Sequence, residues 1–232
     1  MDMQRREALR TLEEDLGYIF EQPSLLDQAM IHKSFANEAD TPVEHNERLE
    51  FIGDSVLGLC VAHLLYDFEP SLNEGDMSRI RAYLVKEETL AMLARSLDLG
   101  DHLKLGKGEL VSGGMEKPSI LADSFEALVG SIYLDGGFDL AFMFVESIYS
   151  PVIDEAGTTV ISRDYKTRLQ EYCQARYKRA PSYKHLEATG PDHDRQFLVE
   201  AHLGGRTLAR GRGRSKKEAE QDAAQHALEL LE

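Results

Sequence analysis

An all-helical domain followed by a small α-β-β-β-α domain is the architecture this sequence predicts, and three observations predict it. Apolar residues recur at helical spacing through the first 150 or so positions, with no sustained β alternation. Strict alternation then appears once, at Phe197, Val199, Ala201 and Leu203, just before the turn pair Gly204-Gly205. The charge also changes sign along the chain. Residues 1–160 carry 12 Lys+Arg against 30 Asp+Glu, a net −18, and residues 161–232 carry 14 against 11, a net +3.

In the first domain, Leu9, Leu12 and Leu16 mark an amphipathic helix ended near Gly17. Residues 24–29 and 49–66 continue the helical pattern. Residues 74–99 read as one further helix, punctuated by Gly75 and ended by Gly100, with Ile80, Leu84, Leu90, Leu93 and Leu97 on its apolar side. Residues 120–134 and 140–153 complete the set. The glycine-rich stretch 106–114 follows no strand and is read as a loop, which excludes a phosphate-cradling P-loop. Residues 154–162 lack an amphipathic period and are predicted to be a linker between domains 1–153 and 163–232.

In the second domain, residues 165–177 read as a helix and 182–187 as the first strand. Residues 206–212 return from the Gly204-Gly205 turn as the partner strand. Ser215-Lys-Lys-Glu218 reads as a capping box, with Glu218 reaching back to the cap residue. Ala219, Ala223, Ala227 and Leu231 then line one face of a closing helix.

No run of about eighteen or more apolar residues is present, so no transmembrane helix is expected. The N-terminus lacks the apolar stretch of a signal peptide. Cys60 and Cys173 form no CxxC pair, and Cys60 lies in an apolar run, so neither a disulfide nor a cysteine metal site is expected. These features predict a cytoplasmic protein without a membrane partner.

Two apolar helices carry carboxylates where a buried face should be. Glu47, Glu50 and Asp54 fall at i, i+3, i+7, and Asp123 and Glu126 lie one turn apart. Taken alone, carboxylates at helical spacing are usually a solvated face. Here Leu49, Phe51, Ile52, Val56 and Leu57 surround the first set, and Leu121, Phe125, Leu128 and Val129 surround the second. Unpaired carboxylates near a core are costly, and like charges raise one another's pKa. A divalent cation relieves both costs, and four converging oxygens suit Mg²⁺ or Mn²⁺. Such a site suits phosphodiester hydrolysis. Zinc fits poorly, because the histidines are scattered and no HxxxH pair occurs. Gly53 costs about 1 kcal/mol inside a helix relative to alanine, which makes sense if another helix or a ligand must approach there.

The segment Glu47-Arg-Leu-Glu-Phe-Ile-Gly-Asp-Ser-Val-Leu57 closely resembles the signature of the bacterial ribonuclease III family. Glu74-Gly-Asp-Met-Ser-Arg79 and Leu121-Ala-Asp-Ser-Phe-Glu-Ala-Leu128 resemble its second and third blocks, in the same order. The resemblance implies a dimeric, all-α endonuclease domain that cuts double-stranded RNA. It implies 5′-phosphate and 3′-hydroxyl ends with short 3′ overhangs, and ribosomal RNA precursors among the substrates. Glu50, Asp54, Asp123 and Glu126 would bind Mg²⁺, with Mn²⁺ able to substitute and no small-molecule cofactor. Asp54 and Glu126 would be the pair most sensitive to mutation. Glu47 and Glu74 match two accessory acidic positions, for which structural and catalytic roles fit equally. Phe51 would enter a socket in the partner subunit, the alternative being an ordinary core phenylalanine.

The tail resembles a double-stranded RNA-binding domain, which reads A-form shape through two minor grooves and the phosphates between them. Gln170 and Gln174, at i, i+4, would face one minor groove, and His193 in the loop 190–194 the next. Lys216 and Lys217 would contact phosphates. Cations in a first helical turn oppose the helix dipole, yet beside exposed N–H groups they make an anion site. A non-catalytic RNA-binding regulator is the competing reading, and retention of all four carboxylates favours the endonuclease.

Overall fold

The computed structural model describes residues 3–68, 72–161, 165–189, 191 and 195–231, with backbone only for 154–161. It divides into two compact units, Met1–Ala156 and Gly157–Glu232.

In the first unit, α1 (Met3–Leu16) buries Leu9 and Leu12 completely and ends at Gly17, whose φ of +65° suits a residue without Cβ. The start of α2 (Pro23–Ala29) has no cap from its own N-cap side chain. The Asp135 carboxylate instead accepts from the Glu21 and Gln22 N–H groups and from the Tyr18 hydroxyl. The short α3 (Lys33–Glu38) is capped by His32, whose ring accepts from the Ser34 N–H.

The centre of the unit is α4 (Glu47–Phe68), which buries Leu49, Val56, Leu57, Cys60, Val61 and Leu65. Residues 74–99 are not one helix. They form α5 (Glu74–Leu84) and α6 (Glu87–Ser96), separated at Val85 and Lys86, with α7 (Leu99–His102) beginning beyond them. The step of six residues from Leu84 to Leu90 moves the apolar stripe to another face, but leucines at helical spacing on both sides let the two helices be read as one. The glycine-rich loop contains α8 (Lys107–Val111) and one 3₁₀ turn, Gly114–Glu116.

The last helix of the unit, α9 (Pro118–Ile161), breaks at Gly137, whose φ of +83° is non-helical. Its backbone stays helical to Ile161, so residues 154–161 are helical where the sequence predicted an irregular linker. Two helices, Glu47–Phe68 and Pro118–Ile153, are long and apolar enough to span a bilayer by length and composition, as core helices of a globular unit also are. Here they carry the core. Phe125, Leu128, Val129, Ile132 and Tyr149 are fully buried, and the Tyr149 hydroxyl donates to the Leu84 carbonyl.

In the second unit, α10 (Tyr165–Tyr177) precedes a three-stranded antiparallel sheet of order β1-β2-β3. The strands are β1 (Ser182–Thr189), β2 (Gln196–Leu203) and β3 (Arg206–Gly213). Gly204 and Gly205, with φ of +57° and +87°, turn β2 into β3. Val199 and Ala201 point inward from β2, onto Leu169 and Cys173 of α10 and the alanines of α11 (Lys216–Leu231). Gly211 and Gly213 let α11 lie directly on β3, since a Cβ on either would strike its backbone. Ser215 caps α11 by accepting the Glu218 N–H at 3.1 Å. The Glu218 carboxylate reaches back one residue further than predicted, to the Arg214 N–H at 2.8 Å. Both cysteines are free and buried.

Candidate active site and RNA-binding surface

Gly53 decides where the carboxylates meet. A methyl there would run into the Glu126 carbonyl oxygen, and one on Gly130 would run into the Leu49 carbonyl oxygen. So α4 and α9 cross backbone to backbone, and the carboxylates flanking each glycine are drawn to the same place. Gly53 was legible as a place of close approach, but its counterpart Gly130 sits unremarkably in an apolar run.

Glu50, Asp123 and Glu126, all half-buried, each offer an oxygen within 4.8 Å of the others. Asp54 is exposed and lies outside this group of three, so the predicted convergence of four is reduced by one. Repulsion from Glu50 and Glu126 favours solvation of its carboxylate. Its charge still acts on both of them.

Burial first, and then the charges of Asp54, Glu50 and Asp123, push Glu126 up to about 7. Glu50 is raised by burial and then by Asp123 and Glu47, and Asp123 is raised by burial. The site therefore gathers negative charge where water cannot fully solvate it, which is the condition that a hard cation with oxygen preference relieves.

Glu47 stands at the edge of this cluster, exposed, with Lys33 Nζ 3.0 Å from its Oε1. Glu74 is exposed in the first turn of α5, accepts from the Ser78 hydroxyl and lies outside the group of three. Phe51, on the same helix as Glu50, is 80% exposed and not a core residue of the single chain. Sequence reasoning missed Lys33 and His32, whose charges act on Asp123 from a different helix. No periodicity connects them to the carboxylates.

On the tail, Gln170, Gln174, Lys216 and Lys217 are all exposed. His193 lies outside the described residues.

Two family models match the chain: ribonuclease-III-like over residues 22–152, and double-stranded RNA binding motif over residues 165–231. The Ribonuclease 3 of Bdellovibrio bacteriovorus is 50% identical, covering 95% of each chain. The chain belongs to the ribonuclease III family. That of Syntrophotalea carbinolica is 47% identical over 95% of this chain and 96% of its own. A solved ribonuclease III nuclease domain from Campylobacter jejuni superposes with a TM-score of 0.57 at 42% identity. It covers 60% of this chain and 94% of that one, and its description concerns flexibility in the region involved in dimer formation. This ribonuclease III is a double-strand-specific endoribonuclease with a C-terminal double-stranded RNA-binding domain.

Proposed function

We propose that this ribonuclease III binds Mg²⁺, or Mn²⁺ in its place, through Glu50, Asp123 and Glu126, with Asp54 as the fourth carboxylate. The observation that carries this is the glycine-mediated crossing of α4 and α9, which gathers three half-buried carboxylates within 4.8 Å. Their donor set is all oxygen, and burial raises the pKa of each, with neighbouring carboxylates adding to it at Glu50 and Glu126. When bound, the ion supplies Lewis acidity toward the phosphate and a hydroxide nucleophile. Asp54 and Glu126 are the residues whose loss should harm cleavage most. Products carry 5′-phosphate and 3′-hydroxyl ends with short 3′ overhangs, and ribosomal RNA precursors are among the substrates.

Residues 1–153 form the nuclease domain, 154–162 the connection and 163–232 the RNA-binding domain. Gln170, Gln174 and His193 read the minor grooves, and Lys216 and Lys217 hold phosphates. The active form is a homodimer in the cytoplasm, without a membrane or small-molecule partner. The exposed Phe51 supports this, since a solvated aromatic of this size suits an anchor in a partner's socket. The related Campylobacter jejuni nuclease domain, with its dimer-forming region, supports it too.

The test is incubation of the protein with a long RNA duplex, with and without Mg²⁺, followed by end mapping. Cutting only with Mg²⁺, to staggered 5′-phosphate ends, is expected. Equal cutting in a chelator would remove the metal from the proposal.

A further inference from the structure

We propose that Lys33 anchors a phosphate of the RNA strand at the cleavage centre, and that Glu47 occupies the Lys33 ammonium until RNA displaces it. This rests on the proposed reading of the neighbouring carboxylates as the cutting site. The structure fixes the backbone around Lys33 and leaves its side chain largely exposed, paired among the described residues only with the exposed Glu47. The His32 N–H donates to the Lys104 carbonyl at 3.1 Å, in a bridge that pairs Ile31 with Lys104. The His32 carbonyl accepts from the Phe35 N–H, and the Ser34 hydroxyl accepts from the Gly106 N–H at 2.8 Å. Beyond this pinned backbone the Lys33 side chain is 57% exposed.

Its position gives it a use. The Lys33 charge acts on Glu47, Asp123 and Glu50, so it stands at the lip of the acidic cluster. A phosphodiester approaching those carboxylates meets repulsion from each of them, on a body of net charge −18. A cation beside the cluster offsets that repulsion where the strand must come closest. Its present partner is easily exchanged. Glu47 is 48% exposed, and exposed lysine–glutamate pairs contribute little to stability. The second Glu47 oxygen already lies 3.8 Å from His45 Nδ1, so the carboxylate keeps a neighbour when Lys33 leaves. A phosphate oxygen offers the ammonium a charge-assisted hydrogen bond in return.

The competing explanation is that the pair only holds α3 to α4. The two explanations differ in sign. Lys33→Ala and Glu47→Gln both break the ion pair, so a purely structural pair predicts the same direction of change for both. The anchor predicts opposite directions. The measurement is the affinity of the full-length chain for an RNA duplex in chelator, across a salt series, by fluorescence anisotropy. The duplex should exceed the roughly 16 base pairs that one RNA-binding domain spans. Lys33→Ala is expected to weaken binding about fivefold. It should also reduce the slope of log affinity against log salt by about one. Lys33→Arg should bind close to the parent, and Glu47→Gln should bind about twofold or more tighter, since it frees the ammonium. Weaker binding by both Lys33→Ala and Glu47→Gln, or an unchanged affinity and salt slope for Lys33→Ala, overturns the proposal. Cleavage by the parent protein in Mg²⁺ is measured alongside. Its absence would count against the metal-site reading, whereas a cutting parent with a normally binding Lys33→Ala removes only the anchor.

Discussion

In the helical body, Gly53 of α4 and Gly130 of α9 meet backbone to backbone; in the tail, Gly211 and Gly213 of β3 meet the backbone of α11. The two contacts are equally close and carry different cargo. Around the first stand Glu50, Asp123 and Glu126, so the packing contact and the proposed metal site are the same place. Around the second stand Ala219 and Ala223, fully buried, and the RNA-facing candidates Gln170, Gln174, Lys216 and Lys217 sit on exposed positions. A metal-binding centre needs several ligands held to fractions of an ångström, which a core crossing supplies. A surface that reads duplex shape needs only a rigid support. Disturbing the body's crossing should therefore disturb chemistry, and disturbing the tail's should disturb affinity.

The largest expected effect isolates the body's cargo. Glu126→Gln keeps the side chain's size and removes one negative charge from the group of three. Cleavage in Mg²⁺ should fall by orders of magnitude while affinity for duplex RNA stays near that of the parent. Partial recovery at high Mg²⁺ or with Mn²⁺ would assign the loss to occupancy, and none would assign it to geometry. Wild-type cleavage by Glu126→Gln at low Mg²⁺ would contradict the carboxylate site. Joint loss of binding and cleavage would indicate misfolding, so the melt must be recorded beside the kinetics.

Matched glycine substitutions compare the two contacts directly. Gly53→Ala and Gly211→Ala each place a methyl against backbone that cannot yield without moving a helix. Each should cost about 3 kcal/mol or more. Gly53→Ala should lower hydrogen-exchange protection in α4 and α9 and abolish cleavage, leaving duplex binding by the tail. Gly211→Ala should lower protection in β2, β3 and α11 and weaken binding, leaving protection of α4 and α9 unchanged. If both variants lose the same function, the division of labour between the contacts is wrong.

Much of this was legible from spacing alone. The alternation at Phe197–Leu203, the paired glycines and the alanine stripe dictate the tail, because each is a local pattern with one sensible structure. The carboxylates were legible as two sets because charge inside an apolar run is conspicuous. Harder to read were features that depend on the partner element. The break between α5 and α6 shows only as a shift of the apolar stripe between Leu84 and Leu90, with no glycine or proline to mark it. Gly130 resembles any small residue in a core helix. Lys33 reaches the site through tertiary structure, from a short helix whose own sequence does not point to the acidic cluster. Asp54 has the helical spacing of a ligand, yet sits outside the group of three because its environment is solvent.

The smallest expected effect is a difference in how the two units respond to pH. A carboxyl raised by folding favours the folded state when protonated. Its contribution is complete below its unfolded value and is lost as pH rises through its folded value. Glu126 runs from 4.5 to about 7, with Glu50 and Asp123 displaced in the same direction, so the metal-free body should lose stability between pH 5 and 8. The tail contains the opposite case. Glu200 on β2 is held below its ordinary value by Arg210 and His202, with Arg210 Nη2 2.8 Å from its Oε1. Its contribution is present above the unfolded value and is lost as pH falls through the folded one. Melts in chelator should therefore show the body's transition falling by about 2–4 °C per kcal/mol lost as pH rises. The overall negative charge of the body works in the same direction, so Glu126→Gln is the necessary comparison. Its melt should depend less steeply on pH over this window, and Mg²⁺ at pH 8 should raise the parent's transition more than the variant's. Parallel pH profiles for parent and variant would show that Glu126 is not the burdened group, and would move the charge strain to Glu50 and Asp123.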